Sequence, residues 1–160
     1  MSYTNADGVY VLTSVDQGAI QPNGTTTNIF RRSLVIDVDF TQIGATFTSA
    51  NINPQAATIP ANATLVGATL IMSVAATSAG AATLDIGTYL ASGTAVVATG
   101  ILAAAAITTH DAIGEVVRAG GTQVAGTATI GTAAVYVGLK YNTAAYTAGV
   151  GKLVIDYIVV

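Results

Sequence analysis

The chain contains no cysteine, which excludes disulfide frameworks, thiol nucleophiles and cysteine metal sites. It has no tryptophan, and only three phenylalanines and three prolines among 160 residues. Charge is scarce as well: 8% of residues are charged, against roughly 25% in an ordinary soluble domain. Five Lys and Arg face eight Asp and Glu, for a formal net charge of -3. Sequence-independent affinity for nucleic acid comes from neutralised phosphates, and Arg31-Arg32 is the single adjacent basic pair, so no direct nucleic-acid role is expected. Long apolar runs are also missing. The run from Ile101 to Ile107, seven residues, falls far short of the ~20 needed to span a bilayer. The opening MSYTNADGVYVLTSVD has no basic start leading into an apolar stretch, so neither a signal peptide nor a membrane segment is expected.

What is present is small and apolar. Hydrophobic residues make up 52% of the chain and glycine contributes 17 positions. Small side chains let backbones and sheets approach closely, and each fills little volume, so individual contacts are modest. A surface this poor in charge is weakly protected from association. Much of it is therefore expected to be covered by partners. The length suits one hydrophobic core, so residues 1–160 read as a single domain.

Period-two alternation recurs along the chain and argues for strands. Leu34, Ile36, Val38 and Phe40 share one face, with Asp37 and Asp39 on the other. Between Thr64 and Val74, the alternation puts Val66, Ala68, Leu70, Met72 and Val74 together, opposite Leu65, Gly67, Thr69, Ile71 and Ser73. Leu84 and Ile86 oppose Thr83 and Asp85, and the Thr77-Ser78-Ala79-Gly80 linker suggests an antiparallel pair with the preceding strand. Val135, Val137, Leu139 and Tyr141 form a further face, as do Leu153, Ile155, Tyr157 and Val159. Weaker strands are expected at Val9 to Val15, Ala112 to Arg118 and Gln123 to Ile130, and Ala95 to Thr108 reads as a short helix or a buried strand. Many Thr and Val residues favour pleated surfaces over helices. The expected fold is all-β: an antiparallel β-sandwich, jelly-roll-like, of about eight strands, with an irregular N-terminal arm or loop over 1–30.

Catalytic constellations are not evident. His110-Asp111 with Glu115 is the cluster that holds the one histidine, too few ligands for a catalytic zinc; it reads as a polar loop at a strand boundary. Asp37 and Asp39 stand on an exposed face, where charges guard a sheet better than they do acid/base chemistry. No phosphate loop, dinucleotide fingerprint, Gly-x-Ser-x-Gly elbow or calcium loop occurs. No catalytic, cofactor or metal residue is assigned, and the chain is not expected to be an enzyme. The candidate residues are interface residues instead. Arg31 and Arg32 could meet a partner's acidic surface or pair with Asp37 or Asp39. Tyr89 and Tyr146, two of seven tyrosines, combine a rigid ring with a hydroxyl and suit rims or sugar platforms at loops and edges. Val154, Ile158 and Val160 make the final strand apolar on its second face, as expected where a neighbouring chain covers it.

The stretch from Ala57 to Tyr89, in which Ile59-Pro60-Ala61-Asn62-Ala63 leads into Val66-Gly67-Ala68 and then Ala82-Thr83-Leu84-Asp85-Ile86-Gly87, resembles small β-sandwich virion proteins of tailed bacteriophages. These include capsid decoration or cement proteins and related head-associated proteins. The closing alternations, Ala133 to Tyr141 and Gly151 to Val160, are similar to theirs too. The resemblance implies a non-enzymatic virion protein, made in the host cytoplasm, that sits on the outer capsid surface. Such a protein binds the lattice of major capsid subunits, with a homo-oligomer, favoured as a trimer, and no membrane partner. The N-terminal arm is the candidate lattice contact. Two other readings stay open: a head or tail fibre module binding host glycans, and a small jelly-roll capsid protein that assembles alone.

Overall fold

The computed structural model describes residues 31–46 and 58–159, together with two short antiparallel strands near the N-terminus, β1 (Tyr3–Thr4) and β2 (Tyr10–Val11). The expected arm contacts within 1–30, and Val160, otherwise lie outside the described residues. The chain divides into a unit ending at Phe30 and a second, Arg31–Val159, and the second is the sandwich.

Among its described residues, eight strands build that unit: β3 (Arg31–Asp39), β4 (Thr58–Ile59), β5 (Ala63–Ser78), β6 (Thr83–Tyr89), β7 (Ala95–Ala106), β8 (Val116–Arg118), β9 (Val135–Asn142) and β10 (Tyr146–Val159). One sheet runs β3-β10-β5-β8 and the other β4-β9-β6-β7. Every pairing is antiparallel, and the first strand of the eight meets the last, the second the seventh, the third the sixth, the fourth the fifth. That nesting is a jelly roll, one of the arrangements by which antiparallel strands bury a face between two sheets. The apolar faces read from the alternation supply the core: Val38, Phe40, Leu70, Met72, Leu84, Ile86, Val135, Val137, Leu153 and Ile155 are all buried.

The long strand β5 departs from strict alternation. Gly67 pairs with Asp156 and Leu65 with Tyr157, leaving Val66 as an extra residue; Val74 pairs with Val150 and Met72 with Gly151, leaving Ser73 extra. Each bulge reverses the face on which the succeeding side chains stand. Leu65 therefore turns inward, while Val66 and Val74, expected in the core, are exposed. The β5 strand is interior to its sheet, but it is not hairpin-paired with β6 as expected, because the turn at residues 79–82 carries the chain from one sheet to the other.

Of the two readings of Ala95 to Thr108, the strand is the one found, over Ala95–Ala106, followed by a single 3-10 turn at Ile107–Thr109. Two further expectations are corrected. Of Ala112 to Arg118, only Val116–Arg118 is a strand, and Gln123 to Ile130 is a run of turns. There Gln123 is buried: its Nε2 donates to the Thr129 carbonyl, 3.3 Å, and its Oε1 accepts from the Thr88 hydroxyl, 3.0 Å. A buried amide with both ends bonded ties that loop to the sandwich.

Candidate interaction surface

The polar side chains that invite a chemical reading turn out to be structural. His110 is 0% exposed and packs beside Phe40, with ring centroids 5.5 Å apart. Its Nε2 lies 2.9 Å from the Tyr146 hydroxyl and its Nδ1 3.1 Å from the Thr109 hydroxyl. The main chain at His110 is engaged too, its carbonyl accepting from Ala76 N–H. The polar loop expected there is therefore a core contact, because stacking and hydrogen bonds to both ring nitrogens offset burial of the imidazole. Burial pushes its pKa below the ordinary value, against the opposing pull of Glu115 and Asp111.

Tyr146 and Tyr89 were expected at loop or edge positions. Tyr146 opens β10 and is 5% exposed, its ring edge-on to Phe40, while Tyr89 ends β6 at 4% exposed. Burial pushes the Tyr146 phenol up to about 12, with the Asp85 charge adding, and raises Tyr89 in the same way. Neither ring is open to a partner.

Asp85 is the buried charge that alternation alone placed on an outer face. It is 5% exposed, and its carboxylate receives Ala104 N–H at 2.7 Å, Asn142 Nδ2 at 2.8 Å and the Lys140 ammonium at 3.3 Å. Ala104 has φ of 46°, a left-handed conformation costly for any side chain with a Cβ. Asp85 thus holds a strained bulge of β7 against β6. Burial raises its pKa, but the bonds from Asn142, Ala104 and Lys140 outweigh that and leave it lowered. Among the described residues, no group of three or more His, Cys, Asp or Glu could hold a metal.

The outer face of the β3-β10-β5-β8 sheet is different. Val35, Val66, Ile71, Val74, Val116 and Val150 are all exposed there. Register places them near one another: Val35 beside Val154, Ile71 beside Val116, Val150 beside Val74. Val154 and Ile158 are half-buried on the same face. Two ion pairs lie on it, Lys152 with Asp37 and Arg31 with Asp156 at 2.5 Å, while Arg118, opposite Thr69 in register, is exposed. The Arg31 partner is thus Asp156, across the sheet, while Arg32 is exposed at the start of β3. Hydrogen bonds from Ser33 and Arg31 hold the Asp156 pKa down, outweighing its slight burial. Asp39 accepts from the Thr41 backbone and hydroxyl, 2.9 and 2.7 Å, and caps the 3-10 turn that turns Phe40 into the core. Reasoning from the sequence missed Val66 and Val74, since bulges leave no mark on a period-two pattern, and Val116, whose three-residue strand is too short to show one.

Neither a protein-family model nor a curated protein sequence matches the chain. Solved structures do. The fold is shared with chains of phage capsid structures. A chain of the capsid of Ralstonia phage GP4 superposes with a TM-score of 0.55 over 92% of this chain and 93% of that one, at 18% identity. The acid-stable capsid structure of Helicobacter pylori bacteriophage KHP30 gives 0.54 over 81% and 87%, at 12% identity. The cyanophage Pam1 capsid asymmetric unit gives 0.50 over 94% and 98%, at 19% identity. At such identities the likeness is one of fold, and it runs nearly end to end on both sides.

Proposed function

We propose that this chain is a non-enzymatic structural component of a bacteriophage virion that binds the outer surface of the assembled capsid lattice and reinforces it. The observation that carries the reading is the near-complete, two-way coverage shared with chains of three phage capsid structures. The chain's own surface agrees in chemistry. A sheet face of exposed valines crossed by two ion pairs suits close, shape-dependent contact with protein. A modest contact repeated over a lattice gives strong retention through effective concentration. Within this reading the chain acts as a homo-oligomer, a trimer being favoured by the resemblance, and residues 1–30 are the arm that reaches the shell.

Co-sedimentation tests the proposal. Purified protein mixed with phage shells lacking it is expected to pellet with them to a fixed number of copies per particle and to raise the temperature at which the shells rupture. A protein that stays in the supernatant at every concentration overturns it. Deleting residues 1–30 is expected to weaken retention at least tenfold. A small capsid protein that builds shells alone is the second reading, favoured by the jelly-roll nesting of the strands; closed particles from the isolated chain would establish it. Burial of Tyr89 and Tyr146 removes the tyrosine platform that a glycan-binding module required.

A further inference from the structure

Among the described residues, the two sheets have four edge strands, β3, β8, β4 and β7. Three are poor templates for another strand. β4 has two residues and β8 three. β7 is long, but its pairing with β6 is broken by three register irregularities, and Ala104 is left-handed. Bulged and very short edges resist pairing with a further chain. β3 has neither defence: its nine residues pair with β10 in one unbroken register.

The order of charges along β3 is equally specific. It reads Arg31-Arg32-Ser33-Leu34-Val35-Ile36-Asp37-Val38-Asp39, basic at its start and acidic at its end. We propose that β3 pairs antiparallel with the β3 of a second copy of this chain, about a two-fold axis at Val35, joining two four-stranded sheets into one of about eight. In that register Arg31 stands opposite the partner's Asp39 and Ser33 opposite the partner's Asp37, on the same face as the two Val35 side chains. On the other face Leu34 meets the partner's Ile36, both half-buried in the single chain. Parallel pairing in register would instead set Arg31 against arginine and Asp37 against aspartate, which is repulsive. Asp37 and Arg31, paired within the chain with Lys152 and Asp156, keep side chains 80% and 64% exposed and so can share those pairs with the partner. A single strand pair buries less than a stable interface needs, so the contact is weak in dilute solution and strengthened where copies are held side by side. Its two-fold symmetry differs from that of a threefold oligomer, so it joins one oligomer to the next.

The absence of native cysteine makes the test direct. Opposed residues of an antiparallel pair lie about 4.5–5.5 Å apart at Cα, within disulfide reach. Under mild oxidation, the purified Val35→Cys protein is expected to form a covalent dimer at least tenfold faster than Val66→Cys, which is similarly exposed on the same sheet face but away from the β3 edge. In the Val35→Cys background, Asp39→Arg is expected to slow cross-linking about tenfold and added Arg31→Asp to restore it. Thermal melting checks that each variant folds. If Asp39→Arg fails that check, raising the salt concentration on Val35→Cys alone supplies the same comparison, since screening weakens the end pairs. Equal rates for the two single-cysteine proteins overturn the proposal, as does a charge swap that fails to restore the rate or a salt-independent rate. No shell enters this experiment, so its failure leaves the shell-binding reading to its own co-sedimentation test.

Discussion

The two sheets of the sandwich spend their outer faces differently. In β6 every residue from Leu84 to Tyr89 is buried, so both faces of that strand are covered by the chain itself. A Cβ at Gly87 would come within 2.3 Å of the Ala98 backbone, and one at Gly121 within 2.4 Å of the Gly100 carbonyl oxygen. In β10, exposed and buried residues alternate from Val150 to Leu153, and in β5 the bulges add valines to the open side. An interior strand of one sheet completes its contacts internally, and the other sheet leaves an apolar face crossed by two ion pairs. The exposed valines are therefore concentrated on the second, where the β5 bulges and the close approach of Gly151 to the Ile71 carbonyl oxygen shape the sheet.

The largest expected effect comes from breaking the closed sheet. Gly87→Ala forces side chain into backbone and is expected to destabilise the fold by about 3 kcal/mol or more, read as a fall in the denaturant midpoint. Asp85→Asn is next, at about 2–3 kcal/mol, because Lys140 loses its counterion and the Ala104 bulge its strongest acceptor. The same variant flattens the stability profile at low pH. The Asp85 pKa is lowered in the fold, so its contribution is complete above the ordinary carboxylate value and lost as pH falls through the folded one.

At the end of the open sheet, the Phe40–His110–Tyr146 cluster gives two pH signatures. The His110 pKa lies below its ordinary 6.5, so the unfolded chain takes up the proton first. Stability is then full above 6.5 and falls as pH drops below it through the lowered folded-state pKa, and His110→Gln is expected to remove that slope. The Tyr146 pKa is raised to about 12 from 10, so its contribution is present below 10 and lost as pH rises toward 12. Tyr146→Phe is expected to abolish that loss in melting curves. The smallest effect sharpens the contrast from the other side. Val74→Thr, on the exposed face, is expected to change stability by less than about 0.5 kcal/mol while weakening shell retention. An equal cost at Val74 and Gly87 would erase the distinction between the sheets.

Alternation made the all-β class and the apolar faces of β3, β9 and β10 legible, because burial on one side of a pleated strand imposes a period of two, and composition alone showed the shortage of charge. The core role of Leu153 and Ile155, and the outward placement of Asp37, came directly from that period. Tertiary structure decided what periodicity does not encode. Bulges opposite Asp156 and Gly151 moved Val66 and Val74 outward, since one extra residue reverses every side chain after it. His110, Tyr146 and Gln123 became core residues because partners distant in sequence, Phe40 and Thr88 among them, lie beside them in space. A polar side chain's place is set by whether the fold brings it a hydrogen-bonding partner, and that is a property of the assembled sheets rather than of any one strand.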